Sequence, residues 1–201
     1  MHFSIFYGKI CTLKGERIMK IEPITFTDKM GRTVTLRAAE PKDAQALIDY
    51  LKVVNAETPF LLREPDECDM SLESEKSFLQ GKLDAKREIM LIALINGKHV
   101  GNCSIASIGS YKRVSHRCGV AIALYQEYCG CGIGRVMLET ALDIARKAHY
   151  EQAELEVIEG NTNAMALYEK LGFKKYGTFP NNMKYKDGSY RDSYWMMKQF
   201  K

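Results

Sequence analysis

The segment from Tyr128 to Arg135 constrains the fold more than any other part of this sequence. It reads Tyr-Cys-Gly-Cys-Gly-Ile-Gly-Arg, between a strand-like run and a stretch with apolar residues on one helical face. Glycine lets a backbone approach a ligand without interference from a Cβ atom. The free amides and the dipole of a first helical turn attract anions. We therefore expect a pyrophosphate site, formed by Cys129, Gly130, Cys131, Gly132, Ile133, Gly134 and Arg135.

Two other phosphate-binding motifs do not fit these letters. A dinucleotide fingerprint, Gly-x-Gly-x-x-Gly, needs a third glycine where Arg135 stands, or where Met137 stands in the shifted frame. A Walker loop needs Gly-Lys-Ser or Gly-Lys-Thr, which the chain lacks. The motif therefore predicts neither a nicotinamide-dependent enzyme nor a nucleoside triphosphatase.

The pattern of apolar residues predicts an α+β fold with a mixed, largely antiparallel sheet flanked by helices. Asn96-Gly97 is a strong signal for a two-residue hairpin, and Asp187-Gly188 is another hairpin signal. With no internal repeat or linker, one domain over 31–201 is expected. The predicted strands are Thr33–Arg37, Glu88–Ile95, Val100–Ile108, Ser115–Leu124, Ala153–Ile158 and two after Gly172. The predicted helices are Pro41–Val54, Ser71–Lys86, Gly132–His149 and Asn161–Lys170.

Composition excludes several classes of protein. The 201 residues carry a net charge of +4 that is interspersed along the chain, so no basic stripe indicates nucleic-acid binding. No apolar run approaches the ~20 residues of a membrane span. The six cysteines lack the density of a secreted disulfide scaffold and the spacing of a zinc site. We therefore expect reduced thiols, no metal, no membrane partner and a cytoplasmic location.

The first 30 residues show no clear periodicity and are interpreted as an uncertain extension. The codons for residues 14–18 can spell a ribosome-binding site just before Met19, so Met19 is hypothesised to be the native start. The alternative is a genuine amino-terminal strand.

Two motifs together resemble the GNAT superfamily of acetyl-CoA-dependent N-acetyltransferases. The first is Glu127–Arg135, and the second, one helix and one strand later, reads Asn-Thr-Asn-Ala-Met-Ala-Leu-Tyr-Glu-Lys-Leu-Gly-Phe over 161–173. The similarity covers about Thr33 to Lys198. It implies a GNAT-like fold and acetyl-CoA as the cosubstrate.

The resemblance implies how the cofactor is held. The family's loop usually reads Gln or Arg, two residues, Gly, one residue, then Gly or Ala; Gly132 and Gly134 match, but Cys129 stands at the Gln or Arg position. Because the loop binds mainly through backbone amides, we expect one weakened contact rather than a lost site. Cys129 as a nucleophile is an alternative, although no histidine neighbours it in sequence. The resemblance also implies that three strand residues hydrogen-bond the pantetheine arm: Ile122, Ala123 and Leu124. The alternative is that they are plain core residues.

The second motif supplies two further candidates. Asn161 is implied to contact the amide-bearing arm of the cofactor, a role compatible with a helix N-cap. Tyr168 occupies the family position whose phenol lies near the cofactor sulfur, which implies that it protonates the departing thiolate. The alternative for Tyr168 is a core aromatic residue with a satisfied hydroxyl group.

The general base is left open by the sequence. An acceptor ammonium with a pKa near ~10.4 must lose a proton before its nitrogen attacks. Glu154 and Glu156 lie on the polar face of a predicted strand and are candidates, unless they are merely solvated. Cys118 stands where several relatives carry glutamate, so the resemblance identifies no base.

The predicted activity is acetyl transfer from acetyl-CoA to a primary amine, either a small molecule or a peptide amino group. Acidic and aromatic side chains near the predicted acceptor site suit a cationic amine. They are Glu57, Glu64, Asp66, Glu67 and Asp69 after the first helix, and Tyr185, Tyr190, Asp192 and Tyr194 in the last hairpin. Two alternatives stay open: a non-catalytic acetyl-CoA-binding sensor or interaction module, and a protein N-terminal acetyltransferase. A homodimer also stays open.

Overall fold

The structure is a computed structural model that describes residues 21–200. Its strands are β1 (Ile24–Thr27), β2 (Thr33–Ala38), β3 (Ile89–Ile95), β4 (Lys98–Ser107), β5 (Arg117–Leu124), β6 (Gln152–Ile158), β7 (Lys174–Lys184) and β8 (Tyr190–Gln199). Its α-helices are α1 (Ala44–Glu57), α2 (Leu72–Asp84), α3 (Ile133–Lys147) and α4 (Thr162–Lys170).

The strands form one sheet in the order β1-β2-β3-β4-β5-β6-β8-β7. Every neighbouring pair is antiparallel except β5 and β6, which are parallel and are joined through α3. A parallel pair needs such a crossover connection, whereas antiparallel neighbours can be joined by a short turn, as β3 and β4 are. The α+β prediction, with a mixed and largely antiparallel sheet, is confirmed.

Strand β1 was not predicted from the sequence. It pairs antiparallel with β2, with Ile24 opposite Leu36, and so belongs to the sheet. Four residues of alternating burial are too short to show a clear period of two, and the partner strand provides most of the stabilisation. The hypothesis about Met19 concerns residues outside the described range.

The helix starts are set by local hydrogen bonds. The Ser71 hydroxyl accepts a hydrogen bond from the Ser74 amide at 3.1 Å, which confirms the predicted cap of α2. The first helix begins at Ala44 rather than Pro41, because Pro41–Asp43 forms a 3-10 turn. The Asp43 carboxylate closes that turn by accepting from the Glu40 amide at 2.8 Å. Helix α2 ends at Asp84, two residues before the predicted end.

Helices cover the two faces of the sheet unequally. The larger hydrophobic cluster joins α3 and α4 to one face, through residues such as Met137, Leu155 and Phe173. The smaller cluster joins α1 and α2 to the other face at β3 and β5. On that second face, Glu156 of β6 and Trp195 of β8 are exposed. Within residues 21–200, no helix is long and apolar enough to cross a membrane.

Candidate active site

The two parallel strands separate in the middle of the sheet. Pairing between β5 and β6 runs from Arg117 opposite Gln152 to Gly119 opposite Glu154 and then stops. Beyond Gly119, β5 stays paired with β4 as far as Leu124, while β6 stays paired with β8. The edge of β5 that faces β6 therefore has backbone N–H and C=O groups without a strand partner in the described part of the chain. Such groups need partners, so the gap is suited to an extended, amide-bearing ligand.

The mouth of this gap is the loop that precedes α3. Gly130 and Gly132 have φ of 75° and 90°, a left-handed conformation that favours glycine. Gly132 is the N-cap of α3, and no side chain caps the helix there. The first turn also contains no acidic residue. The uncapped amides and the positive end of the helix dipole therefore face an anion-binding position.

Gly134 brings three elements together beside the gap. A Cβ atom on Gly134 would lie 3.4 Å from a methyl carbon of Leu124, 3.7 Å from one of Ile122 and 3.8 Å from one of Leu167. The side chains of Ile122 and Leu124 thus pack toward α3, while Ala123 packs on the α1 side. These side chains are partly buried against the two hydrophobic clusters, and the backbone edge of β5 faces the gap.

Tyr168 lies on the α3 side of the sheet and is 7% exposed. Its ring packs against Phe173 with 6.0 Å between ring centroids. Within residues 21–200 its hydroxyl group makes no hydrogen bond, so it is free to meet a ligand. Burial, with a smaller effect of the neighbouring Cys103 thiol, raises the pKa of Tyr168 above its ordinary value. The phenol is therefore protonated at neutral pH, as a proton donor must be.

The two glutamates of β6 differ in their surroundings. Glu154 is held by Arg117, with Nε to Oε1 at 2.5 Å and Nη2 to Oε2 at 2.6 Å, and it also accepts from Gln152. The hydrogen bonds from Arg117 hold the pKa of Glu154 below its usual value, despite desolvation. Glu156 accepts hydrogen bonds from the neutral Ser193 hydroxyl and Asn182 amide groups. Of the two, Glu156 is the carboxylate without a cationic partner among residues 21–200.

The connection between α1 and α2 contacts the β7–β8 hairpin beside the face of the sheet that carries Glu156. The Tyr185 hydroxyl donates to the Pro59 carbonyl at 2.9 Å, and Arg191 stacks over Phe60 at 5.4 Å. Lys186 lies 3.4 Å from the Glu64 carboxylate and also faces Asp66. Lys186 of the hairpin thus partly neutralises the negative charge of the α1–α2 connection.

Three half-exposed aromatic rings lie on the same face as Glu156. Trp195 is directly opposite Glu156 in the antiparallel register and is 40% exposed. Tyr176 and Phe179 lie 6.2 and 6.0 Å from Trp195 between ring centroids. We call Tyr176, Phe179 and Trp195 the aromatic shelf. Tyr194, by contrast, is opposite Val157 and packs toward α3, away from this face.

Comparison with known proteins identifies the family to which this chain belongs. Residues 51–173 match the Acetyltransferase (GNAT) family. The crystal structure of a GNAT-family acetyltransferase from Streptococcus pneumoniae is 31% identical, with a TM-score of 0.80 over 83% of this chain and 99% of that one. The chain belongs to the GNAT family of acetyltransferases.

Two further proteins resemble this chain, one in part of its sequence and one in its fold. N-alpha-acetyltransferase 30 of Schizosaccharomyces pombe is 30% identical over 90 residues, which are 44% of this chain and 59% of that protein. The match thus spans less than two thirds of that relative. The structure of yncA from Salmonella typhimurium, solved with its cofactor acetyl-CoA, is 19% identical with a TM-score of 0.73, over 84% of this chain and 94% of that one.

The GNAT loop residues have distinct local roles. Cys129 is exposed, but desolvation and the nearby Glu57 and Cys131 raise the pKa of its thiol, which disfavours a thiolate nucleophile. Arg135 pairs with Glu139 at 2.8 Å, one turn further along α3. Ile133 is fully buried. The loop therefore offers mainly backbone amides to a ligand.

The remaining predicted residues lie around the gap. The Asn161 carboxamide oxygen accepts from the Ala164 amide at 3.3 Å, so its predicted capping of α4 is confirmed. Cys118 is buried in the core, where desolvation raises the pKa of its thiol to about 12. Among residues 21–200, no three potential metal ligands lie close together.

The aromatic shelf was not found from the sequence. Tyr194 and Trp195 are adjacent in a strand, so they must face opposite sides of the sheet. The buried Met196 lies on the same face of the sheet as Tyr194. The alternation along the strand therefore indicates that Trp195, and not Tyr194, lies on the opposite, open face.

Proposed function

We propose that this chain transfers the acetyl group of acetyl-CoA to a primary amine by direct attack of the amine nitrogen on the thioester. The observation that carries the proposal is the separation of β5 from β6 after Gly119, next to the uncapped start of α3. This arrangement offers an extended backbone edge and an anion site in one continuous cleft. Bound acetyl-CoA supplies an activated acyl group.

The cleft accounts for binding of the diphosphate, the pantetheine arm and the thioester of the cofactor. The first-turn amides of α3 and the loop residues 129–135 bind the diphosphate. The backbone of Ile122, Ala123 and Leu124 hydrogen-bonds the pantetheine arm, in place of the strand that β6 no longer provides. An amide of this strand also polarises the thioester carbonyl group. The Asn161 side-chain amide, whose oxygen caps α4, has its N–H groups left for the same arm.

Glu156 and Tyr168 divide the proton transfers between the two faces of the sheet. Glu156 removes a proton from the acceptor amine on the α1 side. Glu154 is less suited to this role, because Arg117 stabilises its charged form and lowers its basicity. Tyr168, on the α3 side, returns a proton to the thiolate that leaves. The amine attacks from one face and the thiolate leaves toward the other, so Glu156 and Tyr168 do not compete for the same proton.

The acceptor binds on the open face beside Glu156. The aromatic shelf provides flat apolar surface and ring faces that attract cations, with the Glu154 and Glu156 carboxylates nearby. This surface suits an ammonium group attached to an apolar or aromatic portion. Both small amines and peptide amino termini have that character.

The proposal is tested by release of free coenzyme A thiol with a panel of small amines and amino-terminal peptides. We expect thiol release that depends on the amine and equals the amount of acetylated product. Glu156→Gln should lower kcat by roughly 10²-fold, with recovery toward high pH as the amine loses its own proton. Glu73→Gln, which changes an exposed glutamate of α2, is the matched control. Cofactor binding without any amine-dependent thiol release would instead support the sensor alternative.

A further inference from the structure

The turn between β1 and β2 is attached to the loop that precedes α3. The Lys29 amide donates to the Cys131 carbonyl at 3.0 Å. The Asp28 carboxylate fixes the turn by accepting from the Met30 and Arg32 amides, both at 2.9 Å. The turn therefore holds Lys29 in a defined position at the mouth of the cleft.

The side chain of Lys29 lies across Gly132. Its Cγ, Cε and Cδ atoms are 3.5, 3.7 and 3.9 Å from the position that a Cβ atom on Gly132 would occupy. Gly132 is the N-cap of α3, so the exposed lysine extends over the uncapped first turn. Within residues 21–200, Lys29 has no acidic partner. Its neighbour Arg32 is already engaged, because it pairs with Asp28 and stacks over Tyr128.

A lysine in this place is electrostatically unfavourable by itself. The start of a helix carries a partial positive charge, which repels a cation and attracts an anion. No acidic residue in the first turn offsets the charge of Lys29. The combination becomes favourable when an anion binds between the ammonium group and the helix amides.

We propose that Lys29 is a binding residue for the diphosphate of acetyl-CoA. This inference rests on the proposed function. Cys129 occupies the loop position where a glutamine or arginine side chain is expected, and a thiol is a weak hydrogen-bond donor without a positive charge. Lys29 supplies the missing side-chain contact from a different part of the chain, the β1–β2 turn.

The test compares Lys29→Met with the wild type by calorimetry, using coenzyme A and dephospho-coenzyme A. Loss of one charged contact should raise both dissociation constants by roughly tenfold. Lys29→Arg should bind within a few-fold of the wild type. Lys42→Met is the control, since Lys42 is exposed, pairs with Glu40, and carries the same charge elsewhere. It should bind both ligands as the wild type does.

Acetyl-pantetheine separates a phosphate contact from a structural effect, because it keeps the thioester arm and lacks the diphosphate. We expect kcat/KM with acetyl-pantetheine to be the same for Lys29→Met and the wild type. An equal loss with acetyl-pantetheine would show that Lys29 only shapes the loop. Unchanged coenzyme A affinity in Lys29→Met would also overturn the inference. Failure of the wild type itself to bind coenzyme A would instead refute the proposed function.

Discussion

Tyr168 can donate a proton only while its phenol is protonated, and its buried position ensures this at neutral pH. The ring packs on Phe173, and the hydroxyl group has no partner among residues 21–200. The hydroxyl is thus positioned by packing rather than by a competing hydrogen bond. This is the arrangement expected of a group whose partner is a ligand.

Replacing Tyr168 with Phe should separate binding from chemistry. The ring and its packing are kept, so the dissociation constant for acetyl-CoA should stay within a few-fold of the wild-type value. Loss of the proton donor should lower kcat by roughly 10²-fold. Calorimetry and steady-state kinetics measure the two quantities separately. A parallel loss of affinity and turnover would assign Tyr168 to the core alone.

Residue-level chemistry was only partly predictable from sequence. Tyr168, Asn161 and the glycine loop could be predicted as site residues because they lie in two motifs that are each continuous along the chain. The choice between Glu154 and Glu156 as the general base could not be predicted from the sequence. It depends on Arg117, which contacts Glu154 across the parallel pair of β5 and β6. No local pattern in the sequence records that contact.

At the level of secondary structure, the loop before α3 works because its glycines adopt left-handed conformations. Gly132→Ala should lower the free energy of unfolding by about 1–2 kcal/mol, since its φ of 90° strains any L side chain. Gly81→Ala is the control, because Gly81 lies in α2 with open space around it. That change should raise the free energy of unfolding by about 0.5–1 kcal/mol through helix propensity.

Chemical denaturation measures both changes, and coenzyme A affinity should fall in Gly132→Ala alone. Equal stability effects in the two alanine variants would mean that the left-handed conformation of Gly132 is not required.

The elements themselves were largely predictable because helical and strand periodicities are local. The hairpin signals at Asn96-Gly97 and Asp187-Gly188 correctly predicted the β3–β4 and β7–β8 connections. Strand β1 was missed, since its assignment depends on register with β2 rather than on its own four residues. The separation of β5 and β6 cannot be predicted from local periodicity, because the end of a parallel pairing leaves no signal in the sequence of either strand.

For the whole molecule, a buried histidine should make stability depend on pH. His99 is 6% exposed, and its ring packs edge-on against Tyr50. Burial lowers the pKa of His99 from 6.5 to about 4, although Asp43 partly opposes this shift. The folded state therefore binds fewer protons than the unfolded state between these two values.

Stability should consequently fall as pH drops from 6.5 toward 4, by up to about 3 kcal/mol from this residue. The contribution is fully present above pH 6.5, where His99 is neutral in both states. The free energy of unfolding, measured by denaturation at a series of pH values, should depend less steeply on pH for His99→Leu than for the wild type. Parallel slopes would show that His99 does not protonate on unfolding.

Hydrogen exchange of backbone amides, with and without acetyl-CoA, tests the central claim most directly. The claim is that the cofactor lies between β5 and β6 with its diphosphate at the start of α3. Acetyl-CoA should slow exchange at the amides within Ile122–Leu124 that face the gap and at those of Gly132–Arg135, because these N–H groups gain acceptors. ATP at the same concentration is the control for general anion binding and should leave the β5 amides unchanged. Protection confined to other parts of the chain, with β5 and the start of α3 unaffected, would contradict the account.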